Sequence, residues 1–440
     1  MEDPKLTEAF ALADPKLKIP TARMLTRDIK DLYKKKKREF IEETSQLEYF
    51  AGSNDAGSSS NNKSFVVVNA NYVTEDFHLK KKILDVLEMP EAKNAKNYRK
   101  RIDETGEKFA IKGKTFVQTT DNEATMKAAF SKEERNGCFA HIESKASKKA
   151  LDNQKSLKKL RLKLRKIAKK SNKSSKFKYA FRDQQKKRAL DERTLKQEVA
   201  TRFTATHTMI RSFLNDPNEK KDLAMDEEKV EENIKAINEA MKDAKMPKKD
   251  IEKLEIKPED VSKMKKLAPI LDALEEGITL LGAEKYATGS AVLPWEKRFN
   301  KILEEDEDDP VYISKFKDDL SWEMKTRCDG NLNRTMLAKA SFFDKRFDKL
   351  KFLEKFEQDE VIKDIKKELE MVEEKAKSER EFTKNNNEES AKKKKRFLGP
   401  GSSDSEDEDN MTTVEKELEN YRAEPKLRSE GCPFEWWRHR

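Results

Sequence analysis

Cysteine is almost missing: Cys138, Cys328 and Cys432 are the only three in 440 residues. An odd, widely spaced set builds no disulfide framework and fits a reducing compartment. Histidine is scarce too, with four in all. Cys138 and His141 form a C-x2-H pair, but no second pair stands at zinc spacing, so both read as structural and no metal site is expected. No apolar run approaches the roughly 20 residues that span a bilayer. The opening MEDPKLTEAF lacks the charged start and apolar stretch of a signal peptide. The expectation is a soluble intracellular protein with no membrane partner. No Walker loop, dinucleotide fingerprint, G-x-S-x-G elbow or internal repeat occurs.

What is abundant is charge. Charged residues make up 41% and the hydrophobic set 35%, with 23 Phe and 4 Trp to build cores. This is polar for a globular chain without being a disordered composition, and it predicts a modest core among long solvated helices. The net charge is +10 and the pI near 9.0, a balance that favours polyanionic partners such as nucleic acid or an acidic membrane surface. The charge is concentrated. Residues 145–188 hold 19 Lys or Arg against Asp152 and Asp183, so this stretch alone exceeds the net charge of the chain and the remainder is net acidic.

The chain reads as α+β and predominantly helical. Residues 1–45 form a helical opening segment, with Thr21 as cap and Met24, Leu25, Ile29, Leu32 and Tyr33 on one apolar face. Residues 46–145 are the β-rich part. Ser53–Ser64 reads as a loop by composition, Phe65–Val73 as a buried strand, Phe77–Val86 as its partner, and Lys114–Thr120 as a third strand leading through Asp121 into a helix, Glu123–Phe130. Residues 146–380 read as an all-helical region carrying the basic stretch, with a narrow stripe of Leu157, Leu160, Leu164, Ile167 and Ala168. Residues 381–410 are a charged low-complexity linker of the kind that stays disordered, and 411–440 a short helix followed by Pro433-Phe434-Glu435-Trp436-Trp437.

Three sets of residues carry chemistry. Asp55, in the presumed loop, and Asp121, at a strand end, could converge on Mg²⁺ for phosphoryl transfer. In the basic stretch, Lys158, Lys159, Arg161, Lys163, Arg165, Lys166, Lys169, Lys170, Lys176, Lys178 and Arg182 suit phosphate contact, and Phe177, Tyr179 and Phe181 interleave with them as stacking rings. The plainer reading is a solvated helix with an apolar seam. Lys392, Lys393, Lys394, Lys395 and Arg396 resemble a nuclear-import signal, and SSDSEDED beside them offers hydroxyls for phosphorylation. Trp436 and Trp437 read as a packed anchor, since adjacent large rings seldom stay exposed.

The order of these pieces resembles the hAT transposase superfamily, especially its domesticated members with BED-type zinc fingers. DPKLKIPTARMLTRDIKDLY is similar to the family's opening segment. SNDAGSSSNNKSFVVVNANYV and VQTTDNEATMKAAF resemble the segments that carry the first and second catalytic aspartates, which fall on Asp55 and Asp121. NGCFAHIESKASKKAL puts Cys138 and His141 on a family pair. VATRFTATHTMIRSFL matches a motif in which Arg202 is kept and Phe203 replaces the family Trp, a position that handles DNA at the transposon end. GAEKYATGSAVLPW, LAKASFFDKRFDKLKFL and the terminal PFEWW follow in order, the last resembling the start of the dimerisation region, with Trp436 and Trp437. The resemblance implies a ribonuclease H-like domain interrupted by a large all-α insertion. It implies a third catalytic Glu beyond the double Trp and a BED finger upstream, and neither is found between residues 1 and 440. The family Trp near Asp55 is Gly57. The expected function is a nuclear, DNA-binding or chromatin-associated relic without transposase activity and without a cofactor. Mg²⁺ enters only if a residual DNA-cleaving enzyme survives on Asp55 and Asp121. The expected partners are DNA or chromatin, bound with low sequence specificity, and a second copy or related family members.

Overall fold

The computed structural model of the chain describes residues 4–14, 16, 19–59, 61–89, 92–131, 134–199, 204–215, 226–283, 286–388 and 413–440. These fall into two compact units, Met1–Cys138 and Phe139–Arg440. The architecture is α+β: one mixed sheet in the first unit, helices throughout the second.

The first unit opens with α1 (Pro4–Ala13) and α2 (Ala22–Glu43). Thr21 caps α2 as expected, its side chain accepting from the Met24 N–H at 3.3 Å. The apolar face predicted for α2 is solvent-exposed at Met24, Ile29, Leu32 and Tyr33; only Phe40, near the end of the helix, is buried. Strands β1 (Phe50–Ser58), β2 (Ser64–Val73) and β3 (Leu79–Glu88) form an antiparallel meander. After α3 (Ala95–Lys108), β4 (Thr115–Thr120) runs parallel to β1, and after α4 (Ala124–Ala129) the short β5 (Arg135–Gly137) runs parallel to β4. The sheet order is β3-β2-β1-β4-β5.

The loop expected over Ser53–Ser64 is therefore mostly strand. Only residues 59–63 connect, and β1 is the centre of the sheet. Its Gly, Ser, Asn and Asp have poor strand propensity, but a strand paired on both edges takes its stability from the ladders, and tertiary pairing overrides local preference. Gly52 has a specific reason to be there: a Cβ at this position would collide with the Gln118 carboxamide on the neighbouring strand. That carboxamide accepts a hydrogen bond from Asn54 Nδ2 at 2.7 Å. On β2 the alternation is clean, with Val66, Val68, Ala70 and Tyr72 buried. They pack against Tyr98 and Ile102 of α3, Met126 of α4, and a second cluster around Phe40, Phe50 and Phe109.

The second unit contains α5 (Phe139–Asn153), α6 (Lys155–Lys173), α7 (Ser175–Lys187), α8 (Ala205–Leu214), α9 (Glu227–Asp243), α10 (Lys248–Leu254), α11 (Pro258–Leu281), α12 (Val292–Ile302), α13 (Val311–Asp329), α14 (Arg334–Phe342), α15 (Lys355–Glu388), α16 (Thr413–Ala423) and α17 (Pro433–Arg438). Its core gathers Leu157, Leu160, Leu164, Phe213, Ile237, Met264, Phe299 and Phe316, all at most 2% exposed. Between α7 and α8, residues 188–199 are irregular, in a stretch expected to be helix. At the far end α15 runs on to Glu388, into the segment expected to begin a disordered linker at 381. Lys392–Arg396 and SSDSEDED lie outside the described residues.

Candidate nucleic-acid interface

The parallel ladder between β1 and β4 ends at the pair Asn54 and Thr120. Asp55, inside β1, and Asp121, just past the end of β4, each follow that last pair, so the two carboxylate-bearing positions stand next to each other where the parallel ladder stops. Asp55 is exposed, while Asp121 is buried and its Oδ1 accepts from the Glu123 N–H at 3.1 Å. Behind Asp121 lies a residue the sequence did not announce. Arg135 of β5 is buried, and its guanidinium donates to Thr120 Oγ1 at 2.8 Å, to the Asp121 carbonyl at 2.6 Å and to Asn122 Oδ1 at 2.9 Å. Burial pulls the Arg135 pKa down, and the Asp121 charge works against that pull. Cys138 closes this corner, its N–H bonded to the Thr120 carbonyl at 2.8 Å and its carbonyl accepting from Asn122 at 3.0 Å. His141 sits on α5, in the second unit.

Residues 53–136 match the family model of the ZBED1 RNase-like domain. The match runs from β1 to β5 and covers 84 of 440 residues, so the likeness is to that domain. It supports a transposase-derived origin for this part of the chain. No curated protein matches the chain significantly.

Asp55 and Asp121 follow the last pair of the β1–β4 ladder, but the donor set does not fit a two-metal site. One Asp121 oxygen is engaged by backbone and a guanidinium stands close by. Among the described residues no group of three or more His, Cys, Asp or Glu is gathered to hold a metal ion. No step through Mg²⁺ follows from this arrangement.

The basic stretch folds into α6 and α7, joined at Ser174, whose side chain caps α7 through the Phe177 N–H at 3.2 Å. On α6 the apolar residues face the core, as the spacing requires: Leu157, Leu160, Leu164, Ile167 and Ala168 are all buried. The cations then sort into two groups. Arg161 and Lys163, expected on the binding face, are instead drawn inward. Arg161 pairs with Asp152 at 2.7 Å and Glu198 at 3.7 Å, and Lys163 pairs with Asp260 at 2.7 Å. Lys170 pairs with Asp250 at 2.8 Å, Lys158 lies 3.9 Å from Asp152, and Arg182 pairs with Glu192.

Lys159, Arg165, Lys166, Lys169, Lys176 and Lys178 are exposed and make no ion pair within the described residues. Lys155 and Lys173 join them; their spacing of three and four from other members of the face would have flagged them in the sequence. The interleaved aromatics divide likewise. Phe177 and Phe181 are 1% and 3% exposed and belong to the core, a correction to their reading as stacking rings, whereas Tyr179 is 68% exposed. Alternation in sequence is not alternation in space on a helix: positions 177 and 181 are four apart and share the buried face.

Of the remaining expected site residues, Arg202 and Phe203 lie outside the described residues. The motif downstream of them forms α8. There His207 Nε2 lies 2.7 Å from Asp272 Oδ1, and Arg211 also pairs with Asp272. Burial pushes the Asp272 carboxyl up, but these hydrogen bonds outweigh it and hold the pKa below the usual range. At the C-terminus, Trp436 and Trp437 are half-buried around Tyr421, whose ring stacks on Trp437 at 5.5 Å. Tyr421 donates to the Phe342 carbonyl at 2.7 Å and Trp437 Nε1 to that of Phe343 at 2.9 Å. The buried Lys345 ammonium sits 4.5 Å from the Tyr421 ring centre, and a 2.5 Å contact to Asp348 balances its charge. The terminal PFEWW and the LAKASFFDKRFDKLKFL segment, far apart in sequence, thus form one aromatic box.

Proposed function

We propose that the chain is a transposase-derived nuclear protein that binds DNA or chromatin through the exposed face of α6 and α7, with little sequence preference and without transposase activity or a cofactor. One observation carries the reading: eight cations, from Lys155 to Lys178, lie exposed and without internal ion pairs in a short stretch of a chain that is otherwise net acidic. Most are lysines, which meet phosphates as point charges and not as base-reading forks. Nuclear import would run through Lys392–Arg396. A second copy, or a related family member, is the protein partner this reading carries, meeting it at the Trp436–Trp437 end. The test is DNA binding by the full chain across salt. Replacing Lys159, Arg165, Lys166 and Lys169 by Gln should lower the slope of log K against log salt by about 3 to 4, since each phosphate contact contributes about 0.9. An unchanged slope would place the binding elsewhere.

A second reading, a residual metal-dependent DNA-cleaving enzyme, has the adjacency of Asp55 and Asp121 in its favour. Mg²⁺-dependent strand cleavage by the purified chain, lost in Asp121→Asn, would establish it over the first.

A further inference from the structure

The corner of Asp55 and Asp121 already contains a cation, and it belongs to the chain. We infer that the Arg135 guanidinium is the permanent counter-ion of this corner and bars a divalent metal from it. The inference rests on the cofactor-free part of the reading above and gives that part a cause. A hard divalent cation takes oxygen ligands: carboxylates, carbonyls, amide oxygens and hydroxyls. Around Asp121 the oxygens of that kind are already engaged. The guanidinium donates to Thr120 Oγ1 at 2.8 Å, to the Asp121 carbonyl at 2.6 Å and to Asn122 Oδ1 at 2.9 Å. Asp121 Oδ1 itself accepts from the Glu123 N–H at 3.1 Å. Arg135 stands on β5 opposite Gln118 of β4, so the ladder that stops beside Asp121 also anchors the guanidinium.

The charge of the corner is committed as well. An arginine side chain stays protonated throughout the pH range in which proteins work. Arg135 and Asp121 are both buried. Among the described residues no ion pair joins them, so their attraction acts through space. Burial lowers the Arg135 pKa, and the Asp121 charge opposes that fall. A buried charge is costly unless an opposite charge compensates it, so each of the two stabilises the other. A divalent ion entering beside Asp121 would meet a fixed positive charge and oxygens already in use. A vacant metal corner and an internally compensated one answer the same substitution with opposite signs. In a vacant site the carboxylates repel one another, so removing one charge raises stability when metal is absent. Beside Arg135, removing the Asp121 charge strands a buried cation and lowers stability. Glu123, the next carboxylate along, is exposed and screened by solvent.

The experiment uses the full chain as wild type, Asp121→Asn, Arg135→Gln and the double variant. Melting is followed in EDTA and Mn²⁺ binding by titration calorimetry. Asp121→Asn keeps an Oδ1 that can accept from Glu123, so the change is one of charge. It should lower the melting midpoint of the first unit by about 3 °C or more, and the loss should be smaller in the Arg135→Gln background. Mn²⁺ affinity should be the same for wild type and Asp121→Asn. In Arg135→Gln it should rise about tenfold or more, a gain that the double variant lacks. A midpoint raised by Asp121→Asn, or an equal loss in both backgrounds, would overturn the inference and leave the cofactor-free reading standing without this cause. Mn²⁺ bound more tightly by wild type than by Asp121→Asn would overturn both. An Arg135→Gln chain that folds and gains no Mn²⁺ affinity would refute the barring role. Should that chain not fold, the comparison of wild type with Asp121→Asn still decides.

Discussion

Glu143 is the residue whose environment most contradicts its chemistry. It is fully buried on α5, one carboxyl oxygen accepts from the Trp295 indole N–H at 2.9 Å, and the other has no hydrogen-bond partner. Gly277 makes room for the pair: a Cβ there would collide with the indole nitrogen and lie 2.6 Å from the same carboxyl oxygen. Burial pushes the Glu143 pKa up to about 8 against the opposing hydrogen bond, so the folded chain keeps the acid protonated at neutral pH. In the unfolded chain the group has an ordinary carboxyl pKa near 4.5. Between those values the folded state holds a proton that the unfolded state has released. This group's contribution to stability is therefore whole at low pH, falls as pH rises from about 4.5 to about 8, and is flat above. The fall is at most about 1.4 kcal/mol per pH unit. Glu143→Gln, which keeps the shape and cannot ionise, should flatten the pH dependence of the urea midpoint between pH 5 and 8. An unchanged slope would show that Glu143 does not set it.

At the scale of elements, α6 separates two roles by side of helix, and the two respond oppositely to substitution. Leu164 is fully buried, so Leu164→Ala removes packed atoms and leaves a cavity, costing about 2 to 5 kcal/mol. Lys166, two residues on, is exposed without an ion pair, so Lys166→Ala should change stability by less than about 0.5 kcal/mol while weakening DNA binding. Chemical denaturation of both variants beside a binding titration checks the split; a stability loss for Lys166→Ala comparable to that of Leu164→Ala would refute it. The stripe on α6 was legible because helical periodicity in a 19-residue element is a strong signal. The strand β2 was legible for a similar reason, a β-branched run with period two. The strand β1 was not, because Gly52 to Ser58 owes its conformation to pairing with β2 and β4 and not to its own residues. The positions of Asp55 and Asp121 came from motif resemblance, and the sheet register makes them neighbours. Arg135 escaped notice because one arginine in a chain with 95 basic residues carries no pattern; only burial singles it out.

The whole molecule is built on separate cores. In the first unit, apolar clusters form around Val68, Tyr98 and Ile102 and around Phe40, Phe50 and Tyr72. In the second, a single large cluster runs from Phe139 to Leu418. Each unit therefore has its own reason to fold, and calorimetry of the full chain should resolve two transitions. Val68→Ala should lower one of them and Phe213→Ala, in the other core, the other, the larger loss following the larger side chain. DNA supplies a second label. Every cation of the proposed interface belongs to the second unit. A ligand that binds only the folded state stabilises the unit it touches, by about 2.7 kcal/mol at a hundredfold excess over Kd. Saturating duplex should therefore raise the transition that Phe213→Ala lowers and leave the one that Val68→Ala lowers in place. A single transition with equal calorimetric and van't Hoff enthalpies, moved by both substitutions and by DNA alike, would mean that the two cores unfold as one and that the charge of α6 is felt by the entire chain.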